Sequence, residues 1–187
     1  MLQNISQKFH QWAKGGLVLG MLVVYGFFAG YMMPQMAAWM NSAAGQSVTP
    51  LDLMMYYTPQ QAFEMMERYG EAGRSAYLTI ELTADIIYPL STVLFFSLFL
   101  SWLFQRGYKP GNAMQKFNIM PAGSWLFDLV ENAAIIPMIL MHPAQSAALA
   151  WIAMALGLVK WGFAFISLGL VLVGIVKAAL NGFKLQS

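Results

Sequence analysis

The stretch SAYLTIELTADIIYPLSTVLFFSLFLSWLF, Ser75 to Phe104, decides the fold. A helix needs about 20 mostly apolar residues to cross roughly 30 Å of hydrocarbon, and this segment exceeds that length. It also carries two carboxylates, Glu81 and Asp85, that lipid does not tolerate alone. At a helix centre each costs about 2.5–3.5 kcal/mol, so the pair costs roughly 5–7 kcal/mol. Fifteen Leu, Ile, Val and Phe residues oppose that cost, at roughly 0.3–0.6 kcal/mol each. The two sums nearly cancel. The segment therefore inserts stably only when its polar edge faces another helix or water.

Three further stretches are long and apolar enough to span: about Gly16–Met40, Met120–Met141 and Ala147–Leu180. Backbone polar groups in lipid must be satisfied internally, and these segments are too long and too uniformly apolar for barrel strands, so all four are read as helices. The first is too long for the apolar region of a cleavable signal peptide and is read as a span. Composition agrees: 59% hydrophobic and only 10% charged residues, with a mean hydropathy of +0.57. A soluble domain carries about 25% charged residues. There is no cysteine, which excludes thiolate-held zinc, iron–sulfur clusters and thiol catalysis. The expected architecture is all-α, a single membrane domain over 1–187 built as a four-helix transmembrane bundle.

Basic residues set the orientation, because loops rich in Lys and Arg stay cytoplasmic. Lys8 and Lys14 precede the first span, Arg106, Lys109 and Lys116 lie between the second and third, and Lys177 and Lys184 end the fourth. The loop over 41–74 instead holds Asp52, Glu64, Glu67 and Glu71 against Arg68 and Arg74. This predicts both termini in the cytoplasm, with a bacterial inner membrane as the expected location. Within that outer loop, Thr58-Pro59-Gln60-Gln61 has the form of an N-cap, a first-turn proline and a capping-box glutamine. A short amphipathic helix over about 59–69, lying in the interface, is expected, with Gly70 and Gly73 turning the chain into the second span.

The charged residues inside the spans are Glu81, Asp85, Asp128, Glu131 and Lys160. At about 100° per residue, Arg74, Tyr77, Glu81, Asp85 and Tyr88 fall within an arc of roughly 80°, one continuous polar edge. Ser124, Asp128, Glu131 and Asn132 fall within roughly 100° on the third span. Polar faces on consecutive antiparallel helices are expected to meet, gathering four carboxyl groups around a cavity. Lys160 is then the compensating cation, and Trp161 beside it lines the cavity or offers a cation–π contact. Four ionised carboxylates against one ammonium are untenable in a poorly hydrated site, so the cluster is expected to carry protons. Mixed protonation is what acid–base work requires.

Glu81, Asp85, Asp128 and Glu131 are therefore the candidate proton-exchanging or catalytic groups. Arg74, Tyr77, Tyr88, Asn132, Lys160 and Trp161 are the candidate ligand-binding groups. No metal is assigned. A di-iron bundle uses Glu-x-x-His, whereas Glu131 is followed three residues later by Ala134. A site built from carboxylates alone would suit Mg²⁺, Ca²⁺, Mn²⁺ or Na⁺. No cofactor and no nucleic-acid partner are expected. The expected partners are the lipid bilayer, a lipophilic or cationic small molecule, and a second copy or another membrane subunit, since Gly16-x-x-x-Gly20 and Gly26-x-x-x-Gly30 permit close helix approach.

Three functions remain open on the sequence. The first is a carrier or proton-linked binding protein for a lipophilic or cationic molecule. The second is an intramembrane acid–base enzyme of isomerase or cyclase type. The third is a non-catalytic subunit of a membrane complex. Membrane sterol isomerases are similar in placing acids within a small helical bundle, but this chain has four expected spans rather than five and no histidine on its acidic stripe, so no family is assigned.

Overall fold

The structure, a computed structural model, describes residues 2–184, with side chains through Asn181. The side chain of Lys184, counted above toward topology, lies outside the described residues. The described chain is helical without strands, and four helical runs are long and apolar enough to cross a membrane: Gly15–Ala44, Pro59–Gly107, Ala113–Met141 and Ala147–Asn181. This is an integral membrane architecture.

The helices are α1 (Leu2–Trp12), α2 (Gly15–Phe27), α3 (Met33–Ala44), α4 (Pro59–Leu82), α5 (Ala84–Gly107), α6 (Met120–Met141) and α7 (Ala147–Lys184). Helices α2 and α3 form one run joined by a π-helical turn over Phe28–Met32. Short 3₁₀ turns at Leu51–Leu53 and Ala113–Ile119 complete the set. The closest packing is between α7 and the pair α5 and α6, with α4 closing over α3.

The capping chemistry written in the outer loop is realised. Thr58 Oγ1 accepts from Gln61 N, and Gln61 Oε1 accepts from Thr58 N, with Pro59 at the first helical position. The first helical stretch of α4 stops at Tyr69, because Gly70 is non-helical: its φ of 63° and ψ of 178° would strain any side chain with a Cβ, and a second stretch runs on from the kink to Leu82. The expected second span is itself interrupted: Thr83 adopts φ −133° and ψ −82°, separating α4 from α5. The break falls between Glu81 and Asp85. Sequence periodicity treats that stretch as one rod; the structure bends it beside its charged residues.

The core reflects the same division. Met40, Leu51, Tyr57, Met66, Tyr69, Tyr77 and Ile135 pack together where α3, the 45–58 loop, α4 and α6 converge. At the opposite end, α1 was not anticipated. It docks through Asn118, which is fully buried. Its amide donates to Ser6 O at 3.0 Å and Ser101 Oγ at 2.7 Å, and its Oδ1 accepts from Ser6 Oγ at 2.7 Å. Gln105 Nε2 adds a 2.6 Å bond to His10 O. Asn181 Nδ2 holds Arg106 O and Gly107 O at 3.1 and 2.9 Å. This end gathers the segments that carry Lys8, Lys14, Arg106, Lys109, Lys116 and Lys177.

The first apolar run, α2 with α3, sits at the margin of the bundle. Only 6% of the residues in its most apolar stretch are buried. Gly16, Gly20, Gly26 and Gly30 have no atom near the place a Cβ would occupy. The two GxxxG spacings are therefore not used for packing inside the chain.

Candidate functional site

The polar faces of the second and third spans meet, and α7 supplies the cation between them. Lys160 Nζ stands 3.1 Å from Asp128 Oδ1 and 2.6 Å from Glu131 Oε2. It also donates to the backbone carbonyl of Asp52 at 2.9 Å. All four residues are buried. The close approach of α7 to Glu131 depends on Gly157: a methyl group there would fall 2.6 Å from Glu131 Oε1.

On the other side, Asn132 Nδ2 donates to Asp85 Oδ2 at 2.7 Å, so one expected pairing across the two helices is in place. Tyr77 OH donates to Asp52 Oδ1 at 2.6 Å. Asp52 is the residue that sequence reasoning placed in the outer loop and left out of the site. The Leu51–Leu53 turn carries it inward to 6% exposure, where it becomes a fifth carboxylate of the cluster. A signal for this exists in the sequence, since Asp52 is the only charge in the apolar run PLDLMMYY. Tyr57, from the same run, is also fully buried, and its hydroxyl has no hydrogen-bond partner. Burial, reinforced by the Glu131 and Asp52 carboxylates, holds the Tyr57 phenol proton well above the usual tyrosine range.

Sorting the acids by their partners divides the cluster in two. Asp128 and Glu131 share Lys160. Asp52, Glu81 and Asp85 form no ion pair among the described residues, although Lys160 lies close by on the Asp52 backbone carbonyl. Arg74, expected as a ligand-binding group, instead donates from Nη1 to Met66 O at 2.8 Å. Glu81 is 1% exposed and neither of its oxygens accepts a hydrogen bond. One oxygen from each of Asp52, Glu81 and Asp85 lies within 4.8 Å of the others.

Two cavities open on this triad and share Met33, Asp52, Leu53, Asp85 and Tyr88 as a common wall. One, of about 310 Å³, reaches Glu81 and Tyr77 and has a mostly apolar wall, chiefly methionine, alanine and proline from α3 and its approach, with Pro50 and Ile80. The other, of about 190 Å³, has an aromatic end formed by Trp125 and Trp161, with Lys160 and Asp128 at its inner side. Trp161 thus lines the cavity, and its ring centroid lies 5.8 Å from Lys160 Nζ. Tyr88 is half-buried at the junction and stacks near Tyr25 at 6.3 Å. The expected site residues other than Arg74 therefore converge on one polar centre with apolar arms. Such a centre can bind positive charge, hold or release protons, and present an apolar wall to the rest of a ligand.

Comparison with family models, with curated proteins and with solved structures gives no match for this chain.

Proposed function

We propose that this membrane protein binds a cationic or protonatable lipophilic small molecule between its second and third spans and exchanges protons with it. One observation carries the reading: Asp52, Glu81 and Asp85 are buried at the junction of two largely apolar cavities with no salt bridge of their own, the nearby Lys160 being paired with Asp128 and Glu131. Three ionised carboxylates at that separation repel one another in a medium that screens poorly. Protons or a bound cation must compensate them, and a cation arriving displaces protons.

In this scheme Glu81, Asp85 and Asp52 take the ligand charge or the protons. Asp128 and Glu131 form the inner pair balanced by Lys160, and Tyr77 and Asn132 orient the outer carboxylates. Methionine and tryptophan side chains supply soft, polarisable walls suited to varied apolar groups. The orientation that accompanies this reading has both termini in the cytoplasm of a bacterial inner membrane, with the basic end inside. The Thr58–Tyr69 part of α4 then lies at the outer surface.

The test is calorimetric. The purified chain is titrated with 4-phenylbutylamine and with its neutral counterpart 4-phenylbutanol in buffers of different ionisation enthalpy. Amine binding with buffer-dependent heat, lost in Glu81→Gln and Asp85→Asn, is the expected result. Equal binding of amine and alcohol with no proton release in the native chain would sink the proposal.

A second reading concerns assembly. The open glycines of α2 and its scant burial support pairing with a second copy or a partner subunit through that face. Cysteine introduced at Gly20 should cross-link between copies in membranes if the first of these holds. Cysteine introduced at Gly169 of α7 serves as the comparison.

A further inference from the structure

The uncompensated triad has the make-up of a metal site as well as of a proton store. Its three donors are carboxylate oxygens, which select hard cations over Zn²⁺ or Cu²⁺. One oxygen of each lies within 4.8 Å of the other two. Calcium binds oxygen at 2.3–2.6 Å, so two ligands across a shared Ca²⁺ stand up to about 5 Å apart.

Two carboxylates are already aimed by neighbours that use only one oxygen each: Tyr77 OH holds Asp52 Oδ1, and Asn132 Nδ2 holds Asp85 Oδ2. The third, Glu81, is 1% exposed, borders the 310 Å³ cavity and has both oxygens without a partner. A buried carboxylate left with no donor is costly, and a bound cation removes that cost. The nearby ammonium does not serve, because Lys160 is taken up by Asp128, Glu131 and the Asp52 carbonyl. The cavity has room for several waters to complete a six- to eightfold oxygen shell.

We infer that Asp52, Glu81 and Asp85 form a binding site for one hard divalent cation of Ca²⁺ size, held between the Leu51–Leu53 turn and the α4–α5 break. The inference rests on the triad being the cation-binding part of the proposed site, and it names an inorganic occupant for it. Because the turn contributes one ligand and the two helices the others, binding ties the outer loop to the second span.

The full-length chain in detergent, stripped with EDTA and exchanged into KCl, is titrated with CaCl₂ by calorimetry and with TbCl₃ by luminescence. Tyr77 lies against Asp52, so Tb³⁺ at the triad should emit on tyrosine excitation. The expected results are one saturable ion per chain and Tb³⁺ emission quenched by Ca²⁺ but not by equal Na⁺. Glu81→Gln and Asp85→Asn should weaken affinity by at least about tenfold. Tyr77→Phe should lower tyrosine-excited emission more than Ca²⁺ affinity, and the exposed control Glu71→Gln should match the native chain. Thermal melts with and without Ca²⁺ report on any variant that folds poorly, since a variant without the site gains no stability from the ion.

No saturable Ca²⁺ binding by the native chain, displacement by equal Na⁺, or undiminished binding in both Glu81→Gln and Asp85→Asn would overturn the site. The 4-phenylbutylamine titration, run in EDTA, separates the two proposals. Proton-linked amine binding without Ca²⁺ binding refutes the metal site alone. Loss of the amine response in the native chain refutes the proposed function.

Discussion

Gly157→Ala sets two effects of known size against each other. Alanine is favoured over glycine inside a helix by up to about 1 kcal/mol. In α7, however, the new methyl would sit 2.6 Å from Glu131 Oε1 and 3.2 Å from its Cδ. Even a close C–H···O contact keeps carbon and oxygen about 3.3 Å apart, so the carboxylate must retreat by roughly 0.7 Å. Glu131 has little slack, because its other oxygen is held 2.6 Å from Lys160 Nζ. Hydrogen bonds to charged groups contribute about 1.5–3 kcal/mol, and a retreat of this size forfeits most of that. The net expectation is destabilisation by about 1–2 kcal/mol. Reversible unfolding by SDS in mixed lipid–detergent micelles, followed by helical circular dichroism, measures it. Gly162→Ala on the same helix, where a methyl meets nothing within 4 Å, supplies the comparison and should be neutral or stabilising. In a Glu131→Ala background, Gly157→Ala should behave like Gly162→Ala. If Gly157→Ala is as stabilising as Gly162→Ala in the native background, the argument that Gly157 makes room for the Glu131–Lys160 pair is wrong.

Lys160→Met should cost about 3–5 kcal/mol by stranding two buried carboxylates. Adding Asp128→Asn and Glu131→Gln should recover most of the loss in the same unfolding assay; no recovery would mean that Lys160 acts through packing. Asn118→Leu removes the two buried hydrogen bonds that hold Ser6 of α1 and the one that ties the same turn to Ser101 of α5. Limited proteolysis should then release the N-terminal segment while residues 15–181 stay protected, and equal protection of α1 would count against its docking role. Tyr57 supplies a pH dependence. The folded chain holds its phenol proton more tightly than the unfolded chain does, so this contribution is complete below about pH 10 and is lost as pH rises further. Stability measured from pH 9 to 12 should therefore fall more steeply in the native chain than in Tyr57→Phe, and parallel curves would refute the assignment.

How much was legible beforehand follows from which interactions are local. Span positions, the Thr58 cap and the meeting of Asp85 with Asn132 follow from hydropathy, capping chemistry and helical phase, all properties of neighbouring residues. The turn at Gly70 was legible too, since a glycine after an amphipathic stretch marks a change of direction. The break at Thr83 was not, because no proline or glycine stands there to mark it. Asp52 was misplaced for another reason. Charge counting assigns a loop acid to water, and only packing of Leu51 and Tyr57 around the turn carries it inward. Arg74 shares a helical edge with Glu81 on paper, yet its guanidinium turns to the Met66 carbonyl across the Gly70 kink. Position on a wheel fixes direction around an axis but not reach along it. Gly157 became meaningful only once Glu131 was seen opposite it.

The place of Lys160 in chain order bears on how the protein is made. Ribosomal synthesis delivers Asp52, Glu81, Asp85, Asp128 and Glu131 before the single ammonium that balances two of them. Until α7 emerges, the nascent bundle must hold these groups protonated or keep its polar faces wetted. The last helix therefore does more than complete the apolar packing. A chain arrested before Ala147 should be handed to membrane proteases, whereas one supplied with residues 147–187 as a separate peptide should be spared. Assembly quality can thus be inspected at one late event, the docking of a lysine.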